Sequence, residues 1–385
     1  MKHAFVNGII HTGNEILNKS VVIIENGVIL SVQKEIPKEI DIVENLKGDH
    51  LSAGFIDIQI NRGQKLYFSQ SPTEETIHDI YESNLKYGTT HTLPCLISSS
   101  KDTILQGIEA IQAHQSKYKN GVLGMHLEGP FLNPLKCSSH GVDQVRKPTN
   151  SELEEIIRYG KDVIKMITIA PECFTEDQLD MVLESGIAIS AGHSTMTYKE
   201  AQHYFSKGIK LVTHLFNAKT QFGHWEPGLV GATLENETVY APIILDGVHC
   251  DYAAARLAYA LIKKDKFFLI SDSVFLGQKV SNFKCDNFNA HLENDFYRND
   301  ERNLERGCIS MDEAVRNAYE YLNITIDEAI KMATWRVASA IKMEDKLDSH
   351  DYRIFCIEIL NLSYESNVRC VHTFYIQFPF QAVWL

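Results

Sequence analysis

The sequence predicts an α/β protein, a TIM-like (β/α)8 barrel carrying a small β-sandwich-type domain. Eight short apolar runs of strand length lie between residues 55 and 273, separated by segments of helical periodicity. Four acidic or histidine residues stand out towards the C-terminal ends of such runs: Glu128, His193, His214 and Asp272. Polar groups far apart in the chain, each at the C-terminal end of a strand, are how such a barrel assembles a site.

The elements follow in order. Residues 3 to 30 hold apolar stretches broken by Thr12-Gly13-Asn14 and by Asn26-Gly27, the pattern of hairpin strands. Residues 1–50 are therefore assigned to the small β domain. The barrel strands are predicted as FIDIQI (55–60), TTHTLPCLI (89–97), GVLGMHLEG (121–129), IKMITIAPE (164–172), IAISAGHS (187–194), KLVTHLFN (210–217), YAPIILDGVH (240–249) and FFLISDS (267–273). Loops after the third, sixth and eighth are long, and βα loops carry the chemistry in this architecture. Two helices are expected within 311–342, MDEAVRNAYEYLN and IDEAIKMATWRVASAIK, the second capped by Thr325. They close the barrel domain, 51–345. The tail, 346–385, offers apolar runs but no turn chemistry that organises them.

Composition narrows the function. The chain has 385 residues, 44% of them hydrophobic, and a net charge of −13. That balance disfavours nucleic acid, whose binding needs clustered Lys and Arg. No apolar run reaches the roughly 18 residues of a membrane span, and the N-terminus has no secretory pattern. The eight cysteines are scattered without a CxxC pair, so a cytoplasmic setting without a disulfide framework is expected.

In His126-Leu127-Glu128 alternate side chains share a face, so Glu128 points inward at the strand end. A buried carboxylate is costly unless paired or metal-bound. Together with His193 and His214 it makes a one-carboxylate, two-imidazole set that leaves room for water, the pattern of a catalytic divalent site. These ligands suit one Zn, Fe, Mn or Co ion. Asp272 is placed as the acid/base that moves the water proton, or alternatively as a carboxylate orienting a ligand.

Several stretches in order, LSAGFIDIQIN (51–61), HLEGPFLNP (126–134), VRKP (145–148), IAPE (169–172), SAGHS (190–194), THLFNA (213–218), EPGLVGA (226–232), DGVH (246–249) and ISDS (270–273), resemble the N-acetylglucosamine-6-phosphate deacetylases of the amidohydrolase superfamily. The similarity extends through SMDEAVRN (310–317) and MAT (332–334) to about residue 345. It implies metal binding by Glu128, His193 and His214, catalysis by Asp272, and a single-metal site, because Asp57-Ile58-Gln59 replaces a His-x-His pair. It places substrate contacts at Ser139, His140, Asn217, Ala218, Asp246 and His249, and at position 225. The implied reaction releases acetate from N-acetylglucosamine 6-phosphate in amino-sugar catabolism, by a cytoplasmic homodimer with active sites near the interface.

Three departures from the family stand out. Trp225, preceded by His224, occupies the place of a phosphate-pairing arginine, and an indole cannot form a guanidinium's forked bonds. Arg306, in Leu304-Glu305-Arg306, is a candidate for the missing charge. After Lys346-Leu347 the tail departs from the pattern, so the C-terminal part of the small domain is expected to be altered or missing. Trp225 also favours an alternative, deacylation of another N-acyl amino sugar or an N-acyl amino acid. A sugar-binding pseudoenzyme is the alternative outside catalysis, against which the retention of all four metal and acid/base residues argues.

Overall fold

The computed structural model describes residues 1–13, 15–25, 28–118, 121–138, 140–274, 282–285, 288–293, 296–298, 309–343, 357–360 and 370–374. The chain begins with β1 (Lys2–His11), β2 (Ile16–Glu25), β3 (Val28–Gln33), β4 (Ile42–Asn45) and β5 (His50–Ala53). β1, β2 and β3 form an antiparallel meander, while β4 and β5 run parallel to β1 along its other edge. Alternate side chains go to opposite faces. One face buries Phe5, Ile10, Val22, Ile24, Leu46 and Leu51; the other buries Ala4, Val6, Val21 and Ile23.

The eight predicted barrel strands are all present: β6 (Phe55–Ile60), β7 (Thr89–Ile97), β8 (Met125–Glu128), β9 (Ile164–Ile169), β10 (Ala188–Ala191), β11 (Leu211–Val212), β12 (Ala241–Ile244) and β13 (Phe267–Ile270). β6 to β11 pair in parallel in chain order, as do β12 and β13. Both gaps between these sheets are bridged. The Val212 amide donates to Tyr240 O at 3.0 Å on one side, and the Asn61 amide donates to Ser273 O at 3.0 Å on the other. Strands covered on both faces must be apolar nearly throughout, which is why these runs were readable.

Helices α1 (Glu74–Leu85), α2 (Lys101–Lys117), α3 (Asn150–Gly160), α4 (Glu176–Glu184), α5 (Tyr198–Lys207), α6 (Gly228–Glu235) and α7 (Tyr252–Leu261) wrap the cylinder. Thr73, Ser100, Thr149, Thr175, Thr197 and Asp251 cap six of them by accepting from a free amide of the first turn. The long loop after β13 carries an antiparallel meander, β14 (Asn282–Cys285), β15 (Phe288–Glu293) and β16 (Phe296–Arg298).

Then come α8 (Met311–Tyr321), α9 (Ile326–Met332) and α10 (Trp335–Ala340). Thr325 caps α9 as expected, accepting from the Glu328 amide at 3.2 Å. The second predicted helix is broken in two at Ala333-Thr334. The Ala333 carbonyl accepts from the Ile56 amide on β6 at 2.8 Å, and the Thr334 hydroxyl donates back to Ile330 O at 2.8 Å. Both bonds compete with the helical ladder.

Two runs of the tail take strand positions. β17 (Ile357–Leu360) pairs antiparallel with β5, and β18 (Cys370–Phe374) pairs with β17. The small sheet therefore has the order β18-β17-β5-β1-β2-β3, with β4 also on β1. It meets the barrel through a buried polar chain. His11 Nε2 lies 2.7 Å from His50 Nδ1, and His11 Nδ1 lies 2.9 Å from Asp327 Oδ1 on α9. Among the described residues no helix is long and apolar enough to cross a membrane.

Candidate active site

The C-terminal mouth of the barrel gathers the residues that the sequence singled out. His193, His214 and Asp272 each follow the last residues of a strand at positive φ, 48°, 25° and 46°. Such conformations cost a non-glycine residue of order 1 kcal/mol or more and persist only where the surroundings enforce them. Each turn aims its side chain across the mouth rather than along the strand. Glu128 ends β8 without strain, and the next residue absorbs the turn: Gly129 has φ 88°, and a Cβ there would lie 2.2 Å from Ser98 Oγ.

Glu128 Oε1 faces His193 Nε2 and His214 Nε2, each at 3.2 Å, and the two nitrogens are 3.1 Å apart. His193 Nδ1 donates to Lys136 O at 2.8 Å, so the neutral ring turns an Nε2 lone pair inward. Burial pulls His214 down to about 3, against the pull of Glu128, and holds its imidazole neutral as a ligand requires. Burial alone would raise Glu128. The hydrogen bonds with His193 and His214 and the electrostatic pull of His140 outweigh it, and the carboxylate stays well below its ordinary range. An anionic oxygen and two imidazole nitrogens converging on one point, all buried, fit a divalent cation.

His140 also reaches this cluster, with Nε2 3.9 Å from Glu128 Oε2, and ligand atoms of Glu128, His140 and His193 lie within 4.8 Å of one another. Its tautomer points to another task. The Ser98 amide donates to His140 Nδ1 at 3.2 Å, so in the neutral ring the proton sits on Nε2 and is offered to the mouth. His140 is thus set up as a donor facing the mouth.

Asp272 joins the cluster through Gln59 and Asn61, neither of which the sequence marked as a contact to the acid/base. Gln59 Nε2 donates to Glu128 Oε1 at 3.1 Å and to Asp272 Oδ1 at 3.2 Å, and Asn61 Nδ2 donates to Asp272 Oδ1 at 2.8 Å. The signal was present: Asp57, Gln59 and Asn61 are polar at every second position of an otherwise apolar strand, so they share the inward face. Asp57 sits deeper and accepts from the Ser271 hydroxyl across the β6–β13 seam. Burial raises it to about 7.

The supporting turns are densely bonded. Glu172 Oε1 accepts from the Thr195 amide at 2.7 Å and from Asn133 Nδ2 at 3.1 Å, and Oε2 accepts from Ser194 Oγ at 2.9 Å. Lys219, 1% exposed, donates to Thr213 O at 2.6 Å, His214 O at 2.9 Å and Asn217 O at 2.8 Å. Burial pulls its amine down to about 7. Beneath the mouth, His126, Thr168, Thr213 and Ser190 form a buried polar chain with links of 2.8, 2.8 and 2.6 Å.

The remaining predicted contacts lie on the same rim. Asn217 and Ala218 are in the turn after β11. After β12, His249 Nδ1 donates to Asp246 Oδ2 at 2.6 Å, while Asp246 Oδ1 accepts the amides of Val248 and His249. Asp246 is held below its ordinary range because these bonds outweigh burial. Trp225 stands apart. It is 89% exposed, and its ring lies 5.1 Å from that of His224. Ser139 and Arg306 lie outside the described residues.

A model of the amidohydrolase family matches residues 50–351. The N-acetylglucosamine-6-phosphate deacetylase of Haemophilus influenzae is 34% identical over 355 residues, covering 91% of this chain and 92% of the relative. The N-acetylgalactosamine-6-phosphate deacetylase of a Shewanella species is 31% identical over 294 residues, covering 76% and 74%. The crystal structure of N-acetylglucosamine-6-phosphate deacetylase from Pasteurella multocida superposes with a TM-score of 0.90 at 29% identity, covering 97% of this chain and 98% of that one. Sequence, backbone path and the polar cluster at the barrel mouth agree: this chain belongs to the amidohydrolase family.

Proposed function

We propose that this protein hydrolyses the N-acetyl group of N-acetylglucosamine 6-phosphate, giving glucosamine 6-phosphate and acetate in amino-sugar catabolism. One observation carries the reading: Glu128 Oε1, His193 Nε2 and His214 Nε2 converge within 3.2 Å, and Gln59 ties that point to Asp272. The names of the relatives supply the substrate.

Glu128, His193 and His214 would hold one divalent ion, Zn, Fe, Mn or Co. When bound, the ion supplies Lewis-acid polarisation of the acetyl carbonyl and lowers the pKa of water at the site. Asp272, oriented by Gln59 and Asn61, accepts the proton of the attacking water and returns it to the leaving amine. His140 donates from Nε2 to the carbonyl oxygen as charge develops there. His249, fixed by Asp246, contacts the sugar. Asn217 and Ala218, with Ser139, contribute to the sugar-phosphate subsite, while Trp225 lies away from it. We further infer a cytoplasmic homodimer; Leu135 at 83% and Trp225 at 89% exposure give the rim apolar surface for a second copy.

The test is acetate release from N-acetylglucosamine 6-phosphate, its galacto epimer and unphosphorylated N-acetylglucosamine, before and after chelation and metal return, with the mass in solution measured alongside. The expected result is fastest turnover of the phosphorylated gluco sugar, lost to the chelator and restored by metal. Chelator-resistant turnover, or a preference for either other sugar, would replace this reading.

A further inference from the structure

The turn after β11 bears a metal ligand, His214, and a substrate contact, Asn217; its Thr213 and Leu215 amides still pair with Ala191 O on β10 and Pro242 O on β12, but most of its carbonyls have no strand partner. His214, Phe216 and Ala218 have φ of 25°, 76° and 50°, so successive carbonyls point away from a common partner. Each buried carbonyl still needs a donor. The assignment is complete from 213 to 219. Ala218 O accepts from the Ser194 amide at 3.2 Å, Leu215 O from Asn217 Nδ2 at 3.3 Å, and Phe216 O and Lys219 O from Gln221 Nε2 at 2.5 and 3.1 Å. The other three, Thr213 O, His214 O and Asn217 O, all accept from the single Nζ of Lys219, and His214 O also accepts from the Asn217 amide at 3.0 Å.

We propose that Lys219 is a positioning residue for the metal centre: its Nζ, donating to three carbonyls, holds the turn from Thr213 to Asn217 in the shape that presents His214 to Glu128 and His193. Three acceptors match the three N–H groups of an ammonium. Its carbonyl partners include that of His214 itself, so the tether is one residue long. Because Asn217 O is bound by the same nitrogen, ligand and substrate contact are fixed together. The role extends the metal-site reading given above and rests on it.

The test is metal affinity, measured by competition with a chromophoric chelator, for wild type, Lys219→Met, Lys219→Gln and His214→Ala. Ile111→Ala, a core truncation on the far half of α2, controls for general destabilisation. Groups that orient a metal ligand typically change affinity about 10- to 100-fold. Lys219→Met is therefore expected to weaken metal binding by that factor and to raise the substrate KM as well. Lys219→Gln, which keeps two N–H donors, should fall between it and wild type. Should Lys219→Met fail to fold, the glutamine variant decides alone: affinity equal to wild type overturns the proposal, as does a loss no larger than that of Ile111→Ala. If wild type and His214→Ala bind metal equally, the metal-site reading itself fails, a separate outcome.

Discussion

The turns that carry His193 and His214 leave consecutive strand ends, both at positive φ, and they are held by groups of opposite charge. After β10, the carboxylate of Glu172 collects an amide and side-chain donors from Ser194, Thr195 and Asn133. After β11, the ammonium of Lys219 collects carbonyls from Thr213, His214 and Asn217. A strand that ends in left-handed backbone strands either its N–H groups or its C=O groups, and the sign of the group left over sets the sign of the buried partner. The two turns then meet directly through the Ser194 amide and Ala218 O.

Separating support from chemistry gives the largest expected effect. Asp272→Asn leaves both turns intact, so turnover should fall by about 10²–10⁴-fold while metal affinity is retained. Paired kinetics and metal titration check this; lost affinity would mean that Asp272 serves as a ligand. Glu172→Ala attacks the anionic side of the comparison and should weaken metal binding about 10- to 100-fold. Combined with Lys219→Met, the losses should exceed or fall short of additivity, because the turns share a hydrogen bond. Strict additivity in a double-mutant cycle would show two independent supports.

The seam between sheet and barrel offers a contrast, a contact held by neutral imidazole. Burial, with His11 beside it, pulls His50 down to about 4. A folded-state value below the unfolded one means that the unfolded chain binds the extra proton first. Stability is therefore full above about pH 6.5 and declines as pH falls towards 4, by about 2 kcal/mol at pH 5. Urea unfolding at pH 7 and 5 should show this slope, flattened in His50→Gln. Smallest is Thr325→Ala, a cap distant from both turns, expected to cost about 1 kcal/mol in the same assay with no change in metal affinity.

The eight barrel strands were legible because burial on both faces leaves continuous apolar runs, and Glu128, His193, His214 and Asp272 were legible because they interrupt those runs at their ends. Gln59 and Asn61 carry a period-two signal beside Asp57, of which Asp57-Ile58-Gln59 served only to imply a single-metal site. Glu172 ended a predicted strand, IKMITIAPE, yet was not singled out, and Lys219 carried no signal, since a side chain that bonds to backbone leaves no pattern in the residues it serves. The break at Ala333-Thr334 was hidden for a similar reason: the competing donor is Ile56, far away in sequence. Strand positions for the tail could not be read either, because pairing between residues 51 and 359 has no local signature.

That last pairing bears on how the molecule is made. β5 is synthesised early, yet its free edge is covered only when Ile357–Leu360 arrives after the whole barrel. On the ribosome the opening meander must wait with an uncovered edge, the kind of surface that recruits other nascent chains. Termination between the end of the barrel and Ile357 would then release a cylinder already closed, attached to an unfinished and adhesive sheet.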